Sequence, residues 1–493
     1  MNNQTIDMNV NLILNADSYK VGHKKMMKNG IIALTSVIGA RKATKHSSQV
    51  VMAGIQYTIN QYINIRITAA DVDEAAIEIA EQGGIFDRTP WDKIVNEHGG
   101  KLPITIRALP EGTVVPVGVP MVSVSAFGED FLFLASYVET TLQRGVWFPT
   151  TVASVARSIK TFLADTMERH AGHRFVDYHL HNFGDRSAHV YEAAVVAGMA
   201  HAMLFSGSDS LVTNRYIKRH YNTTKKYLSS VDASEHSCSC SNSDAEKRDD
   251  FNMAVKMVRH WEAQVDHFLS TGEGTPITSV VIDTYNDKRF AREYIGTRLR
   301  DAIIEIGTTK GGRLVLRPDS GNSVTTPIEI IEILMEKFGY TVNDQGYKVL
   351  PSYIGVLQGD GINEDSIREI VALLESKKIS IENIAFGMGS KLVDPEGGRD
   401  KFSFAMKAVA QQEADGTWTD LFKDPITDVG KRSHKGRVTT YRCNQSGKII
   451  AERVELQEVN PFLEDMMVTM YHNGEIMNFS NFDEVKERAN EGI

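Results

Sequence analysis

Three times in the second half of the chain, a short apolar run ends abruptly in a polar, glycine-bearing loop. Leu314-Val315-Leu316 runs into Arg317-Pro318-Asp319-Ser320-Gly321-Asn322, residues 353–357 run into Gln358-Gly359-Asp360-Gly361, and residues 381–386 run into Gly387-Met388-Gly389-Ser390. Runs this short, rich in branched residues and bounded by turn formers, read as strands. Any one of these loops alone is an ordinary turn, because Asp and Gly are common turn residues. Recurring with helical stretches between them, they predict one face built from strand C-terminal ends, the edge at which loops carry chemistry in α/β barrels. The alternation extends upstream. Residues 174–179 precede Asn182-Phe183-Gly184-Asp185-Arg186, residues 204–206 precede Gly207-Ser208-Asp209-Ser210, and residues 280–283 precede Thr284-Tyr285-Asn286-Asp287. Helical patterns are expected at 191–203, 214–221, 298–306, 328–338 and 364–375. Units of this kind indicate a parallel sheet, open or closed into a barrel.

The flanks differ. Residues 31–38, 102–109 and 113–125 read as strands, and 54–63, 69–82, 131–142 and 154–170 as helices. After the turn-rich 423–437, paired strands at 438–443 and 448–455 and a last helix at 483–490 form a tail expected to pack back on the N-terminal β region. With 493 residues the chain has room for two or three domains. Its 42% hydrophobic and 24% charged residues are those of an ordinary globular protein. A formal net charge of −9 argues against nucleic-acid binding but leaves room for a small polyanion held by a local Arg and Lys cluster. Residues 1–11 lack a basic start followed by an apolar core, so no signal peptide is expected. The most apolar stretch, near 131–138, is too short to span a bilayer, so no membrane partner is expected either. Three cysteines cannot build a disulfide framework, which suits a reducing cytoplasm.

Asp209, Asp283, Asp319 and Asp360 each follow an expected strand. Carboxylates so placed can bind Mg²⁺, steady a developing cation or orient a histidine. Zinc spacings are poor: there is no Cys-x-x-Cys, His170-Ala171-Gly172-His173 has no cysteine nearby, and Glu235-His236-Ser237-Cys238-Ser239-Cys240 lacks a clear fourth ligand. That segment reads as a Ser-rich loop carrying one useful histidine. Arg317, Lys391, Arg399, Lys407, Lys423, Lys431 and Arg437 are candidates for a phosphate-binding rim. Neither a Walker loop nor a dinucleotide fingerprint occurs. Near the start, Asp17 or Ser18 is placed to cap a helix carrying Tyr19, a half-exposed aromatic.

Asp17-Ser18-Tyr19-Lys20, Phe183-Gly184-x-Arg186, Gly207-x-Asp209, Glu235-His236-Ser237, Arg317-Pro318-Asp319-Ser320-Gly321, Gln358-Gly359-Asp360-Gly361, Ile381-Glu382-Asn383-Ile384-Ala385-Phe386-Gly387 and Phe422-Lys423-Asp424-Pro425 through Arg437 occur in order across nearly the whole chain. Together they resemble the nicotinamide phosphoribosyltransferase family of type II phosphoribosyltransferases. The resemblance implies an irregular α/β barrel domain over 151–410, beside a β-rich α+β domain formed by 1–150 and 411–493. It implies a homodimer with shared active sites, joining nicotinamide to 5-phosphoribosyl 1-pyrophosphate with Mg²⁺ and coupled ATP hydrolysis. By that resemblance Phe183 and Tyr19, the latter from the second subunit, sandwich the pyridine ring. Asp209 accepts from the carboxamide, which selects amide over acid. Arg186 and Arg317 hold the base and the phosphoribosyl phosphate. Gly359, Gly387 and Gly389 let backbone N–H groups approach anions, and Asp360 accepts from a ribose hydroxyl. Arg399, Lys407 and Arg41 hold further anionic oxygens, Asp319 faces the ribose, and His236, oriented by Asp283, is phosphorylated. The sequence departs from the family in its Cys- and Ser-rich 238–250, in the short turn Gly387–Ser390, and at Asp185 and His189. Two other readings are nicotinate phosphoribosyltransferase and a catalytically silent dimeric binding protein.

Overall fold

A computed structural model describes residues 10–427, 432–458 and 460–493. Two compact units are formed: Met1–Ser154, Tyr216–Thr224 and Glu396–Glu491 make the first, and Val155–Arg215 with Lys225–Pro395 the body of the second.

The second unit is a ring of parallel strands: β1 (Leu180–Asn182), β2 (Gly207–Ser208), β3 (Asp232–Ala233), β4 (Ile277–Val281), β5 (Arg313–Arg317), β6 (Ile354–Gln358) and β7 (Ile384–Met388). Neighbours follow the order β2-β1-β7-β6-β5-β4-β3, every pair parallel. The two edges are joined by the chain just before β3, where Ser229 bridges Gly207 and Ser208 N–H donates to the Ser229 carbonyl at 3.0 Å. The result is an irregular α/β barrel. A strand closed into a barrel has no free edge and buries both faces, and all five residues of β6 are buried.

Two expected strands lie elsewhere. Residues 174–179 are irregular, with a turn at 177–178, and β1 begins at Leu180; residues 204–206 precede β2 rather than belonging to it. The apolar Leu204-Phe205 pair fills the core instead, with the Phe205 ring stacked on His201 at 5.5 Å. The longest helix wholly inside this unit, Phe251–Thr271, was not signalled by any motif. It buries Met253, Met257, Trp261 and Val265 along one stripe and stops at left-handed Gly272, whose N–H bonds the Phe268 carbonyl. The helix expected at 131–142 is a short helix, Leu134–Tyr137, followed by the start of a second, Glu139–Ala171, which takes in the expected 154–170 and runs through Pro149.

In the first unit an antiparallel sheet has the order Trp418–Asp420, Ala405–Glu413, Ile31–Gly39, Val122–Phe127, Ile104–Ala108, Val468–His472, Glu475–Ile476. This corrects the expected domain limit at 410. Ala405–Glu413 hydrogen-bonds along Ile31–Gly39, so the second unit ends at Pro395, and the first also claims Tyr216–Thr224. The C-terminal segment does pack on the N-terminal sheet, through Val468–His472 on Ile104–Ala108. Asp17 does not cap its short helix; its Oδ2 accepts from the Thr140 hydroxyl at 2.6 Å. A buried polar knot ties this unit together. The Glu111 carboxylate accepts from Gln56 N–H at 2.9 Å and from the Tyr221 hydroxyl, while Arg488 Nε donates 2.8 Å to the Glu111 carbonyl and its Nη2 2.6 Å to Ser480 Oγ. Burial pushes the Glu111 carboxyl up and the Tyr221 hydroxyl well above its usual range. No helix among the described residues is long and apolar enough to cross a membrane.

Candidate active site

The C-terminal ends of the barrel strands carry most of the polar side chains singled out above. Phe183 directly follows β1, its N–H bonded to the Met388 carbonyl of β7 at 2.9 Å. The next residue has to turn sharply: Gly184 N–H donates to Asn182 Oδ1 at 2.8 Å, and a side chain there would meet Val393 and the Gly389 carbonyl. The Phe183 ring lies over Gly387. A Cβ at Gly387 would overlap Phe183 Cδ2 and Cε2 and lie 2.9 Å from Cζ, while one at Gly359 would touch Cε2 at 3.4 Å. The absent side chain at 387 is therefore space for an aromatic ring, a reason different from an anion's approach to the backbone.

Asp209 follows β2 and is exposed. Its N–H donates to the Asn182 carbonyl at 3.0 Å, and Oδ1 accepts from the Ser230 hydroxyl at 2.6 Å; among the described residues Oδ2 has no hydrogen-bond partner and can face a ligand. Behind it, His181 and His179 line a cavity of about 290 Å³ inside the barrel with Ser229, Ser230 and Arg313. Burial lowers His181, opposed by the Asp209 charge, and pulls His179 down to about 3, so both rings are neutral at physiological pH.

At the end of β5, the largely buried Arg317 donates from Nη2 to the Ser234 carbonyl at 3.0 Å, with Nη1 3.8 Å from Asp319 Oδ1. Asp319 Oδ1 also lies 3.4 Å from where a Gly359 side chain would begin, so the loops after β5 and β6 adjoin. Asp360 is exposed, its carbonyl held by Gln358 Nε2 at 2.9 Å. Gly361 follows at a φ of +68°, a left-handed turn that favours glycine. Gly389 precedes the helical turn Ser390–Val393, and Arg186 stands exposed in the turn Asp185–Ser187. His236 opens the helix His236–Ser241, and its Nε2 is 2.9 Å from Asp283 Oδ1. The histidine is 46% exposed and the carboxylate 6%, so the buried partner orients an accessible ring.

In the first unit, Arg41 donates from Nε to the Ser403 carbonyl at 2.9 Å, and Lys407 from Nζ to the Met406 carbonyl at 2.7 Å. Both line an open cavity of about 330 Å³ with Arg432, Ser433 and His434. Burial, then the charges of Arg41, Lys423 and Arg399, push Lys407 down against the opposing pull of Glu139. Cations crowded to the point of mutual repulsion make a site for an anion. Arg399 is itself exposed. Arg437 does not join this group, since its Nε donates to Glu455 Oε1 at 3.0 Å, and Lys431 lies outside the described residues. Tyr19 is 65% exposed, with His23 and the Lys20 ammonium near its ring.

Sequence reading missed Ser230, Asn182 and the Ser234 carbonyl. A serine among serines gives no local signal; only the ring of strands brings Ser230 and the Asn182 carbonyl to Asp209 and the Ser234 carbonyl to Arg317, whereas Asn182 Oδ1 meets Gly184 within its own turn. Among the described residues no three His, Cys, Asp or Glu side chains converge as a metal site.

The sequence pattern of the nicotinate phosphoribosyltransferase (NAPRTase) family matches residues 178–468, and that of the nicotinamide phosphoribosyltransferase N-terminal domain matches residues 11–106. The chain is 35% identical over 490 residues to a nicotinamide phosphoribosyltransferase of Xanthomonas campestris, covering 97% of this chain and 98% of that protein. It is 30% identical over 406 residues to one of Acinetobacter baylyi, covering 79% and 76%. Among solved structures it is similar to a nicotinate-nucleotide pyrophosphorylase from Pyrococcus furiosus (TM-score 0.59, 15% identity, covering 99% of this chain and 97% of that one). It is also similar to human nicotinic acid phosphoribosyltransferase (TM-score 0.54, 15% identity, covering 96% and 92%). At such identity these two speak for the fold alone.

Proposed function

The chain belongs to the nicotinate phosphoribosyltransferase family and is a phosphoribosyltransferase of NAD salvage; from that premise we propose that its acceptor is nicotinamide. The observation that carries the choice is Asp209. A carboxylate with one oxygen already bonded to Ser230 offers its other oxygen to an amide NH₂ and repels the carboxylate of nicotinate. Phe183, seated on Gly387, supplies a flat apolar face for the pyridine ring.

The attacking ring nitrogen is neutral, so no general base has to activate it. Pyrophosphate leaves from an anomeric carbon that acquires oxocarbenium character. Catalysis then rests on positioning and on fixed charges, with Asp319 on the ribose side and Arg317 on the phosphate. The donor set fits a Mg²⁺ ion held chiefly by the substrate's own phosphates: among the described residues no three His, Cys, Asp or Glu side chains converge on a metal, and Asp319 offers one partly exposed carboxylate. When bound, the ion offsets negative charge on the pyrophosphate. Asp360 accepts from a ribose hydroxyl and Arg186 contacts the base. The first unit's Arg41, Arg399 and Lys407 bind further anionic oxygens.

His236 takes a phosphoryl group from ATP. With Nε2–H directed at Asp283, the Nδ1 lone pair is the free nucleophile. His236→Ala should keep basal transfer and lose its stimulation by ATP; equal stimulation in both proteins would remove His236 from the coupling. The chain works as a cytoplasmic homodimer, with Tyr19 and Arg41 reaching substrate from the second copy. Mixing Tyr19→Ala with Asp319→Ala subunits should restore part of the activity, and no recovery would count against shared sites.

The deciding assay is mononucleotide formation from phosphoribosyl pyrophosphate with nicotinamide or nicotinate, each with and without ATP. Nicotinamide turned over faster is the expected result, and Asp209→Asn should narrow the preference by roughly tenfold or more, about 1.4 kcal/mol. Faster nicotinate turnover would overturn the proposal.

A further inference from the structure

The helix that opens with His236 carries two thiols that neither the transfer reaction nor the proposed ATP coupling uses. Cys238 and Cys240 are both exposed, while Ser239 between them is fully buried. All six residues of His236–Ser241, His-Ser-Cys-Ser-Cys-Ser, come from the weaker half of the helix formers. So short a helix has no stability of its own. Local bonds hold it: Ser239 N–H donates to the Glu235 carbonyl at 3.1 Å, Asn242 Nδ2 and Ser241 Oγ donate to the Cys238 carbonyl at 2.8 and 2.9 Å, and Ser243 Oγ donates to the Cys240 carbonyl at 3.0 Å.

On the wound helix the Cα spacing of these two residues suits a disulfide but the directions of their side chains do not. Residues two apart on a helix have Cα atoms about 5.4 Å apart, from a 2.3 Å radius and 1.5 Å rise. That falls inside the roughly 4.4–6.8 Å that disulfides span. Their side chains, however, leave the axis about 200° apart, so the sulfurs face away from each other. Joining them requires the turn to unwind. His236 is the first residue of that turn, so the direction of its ring towards Asp283 depends on the turn staying wound.

We propose that Cys238 and Cys240 are a peroxide-responsive thiol pair whose disulfide unwinds the His236 helix and breaks the His236–Asp283 contact. One thiolate attacks a hydroperoxide oxygen: an S–O bond forms, the O–O bond breaks, and an alcohol or water leaves with a proton. The second thiolate attacks that sulfur, forming S–S and expelling the oxygen as water. Two thiols lose two electrons in all, and the peroxide gains them. A dithiol reverses the step by exchange. The reduced helix is the active arrangement.

The experiment uses the full chain with Cys443→Ser, which leaves only this pair of thiols. After hydrogen peroxide, the intact mass should fall by two hydrogens and return with dithiothreitol. Amide exchange over residues 236–243 should quicken about tenfold in the oxidised form. Cys238→Ser and Cys240→Ser should show neither change and keep full basal transfer. Sulfinic acid without a disulfide, a disulfide only between chains, or an intramolecular disulfide with unaltered exchange would each overturn the proposal. Loss of ATP stimulation on oxidation is expected as well, and that arm alone rests on the role given to His236. Mass and exchange read the switch even if His236 has no part in coupling.

Discussion

A Gly387→Ala protein should fold and still lose about a hundredfold in kcat/KM for nicotinamide. The added methyl claims the volume of the Phe183 ring edge, overlapping Cδ2 and Cε2. The backbone of Phe183 cannot retreat, because its N–H is bonded to the Met388 carbonyl and Gly184 turns immediately after it. The ring must swing off the site. That forfeits one stacked pair, about 0.5–1.5 kcal/mol, and misplaces the base, where an error of about 1 Å can cost a hundredfold. Relief by rotation keeps the fold, at an overpacking cost of about 1–3 kcal/mol. Gly359→Ala is the control: contact at 3.4 Å is ordinary packing, so its effect should be a few-fold at most. The Phe183→Ala, Gly387→Ala double variant should be no worse than Phe183→Ala alone, since both act through the same ring. Steady-state kinetics beside a melting curve reads this directly, and a Gly387→Ala enzyme with unchanged KM and kcat would place the base away from Phe183.

The largest effect on stability should come from the knot around Glu111. Glu111→Ala leaves the Tyr221 hydroxyl and the Gln56 N–H buried without an acceptor, at about 1–3 kcal/mol each. Tyr221→Phe removes one donor from a buried carboxylate and should cost about 1.5–3 kcal/mol. Burial holds the folded Glu111 carboxyl above its unfolded value, so folding favours the protonated form. That stabilisation is complete below the unfolded value, about pH 4.3, and is lost as pH rises through the folded value. Glu111→Gln keeps an acceptor oxygen and cannot ionise. Its stability relative to wild type should therefore improve as pH rises from about 4 towards neutrality. Denaturant unfolding of both proteins across that range tests the sign, and a constant difference would mean that Glu111 does not titrate in that range.

Much of the barrel was legible. β5, β6 and β7 announce themselves as branched runs closed by Arg-Pro-Asp, Gln-Gly-Asp and Gly-x-Gly, because strand propensity and turn chemistry are local. β2 was not legible, being two residues long, nor was the helix Phe251–Thr271, which has no glycine or proline to mark its start. The order of the motifs was enough to name the family. What Gly387 is for was not readable, since a glycine beside a strand end looks the same whether it admits a phosphate or a phenyl ring.

Local patterning determined that strands and helices alternate and that polar loops follow the strands, and motif order determined the family. Only the tertiary structure decided which strands are neighbours. A strand's N–H and C=O groups accept any partner that presents the complementary edge, so Ala405–Glu413 joined Ile31–Gly39 rather than the barrel, and Ser229 closed the ring that brings Ser230 to Asp209. Those contacts are between residues distant in the chain, and no window of sequence contains both partners.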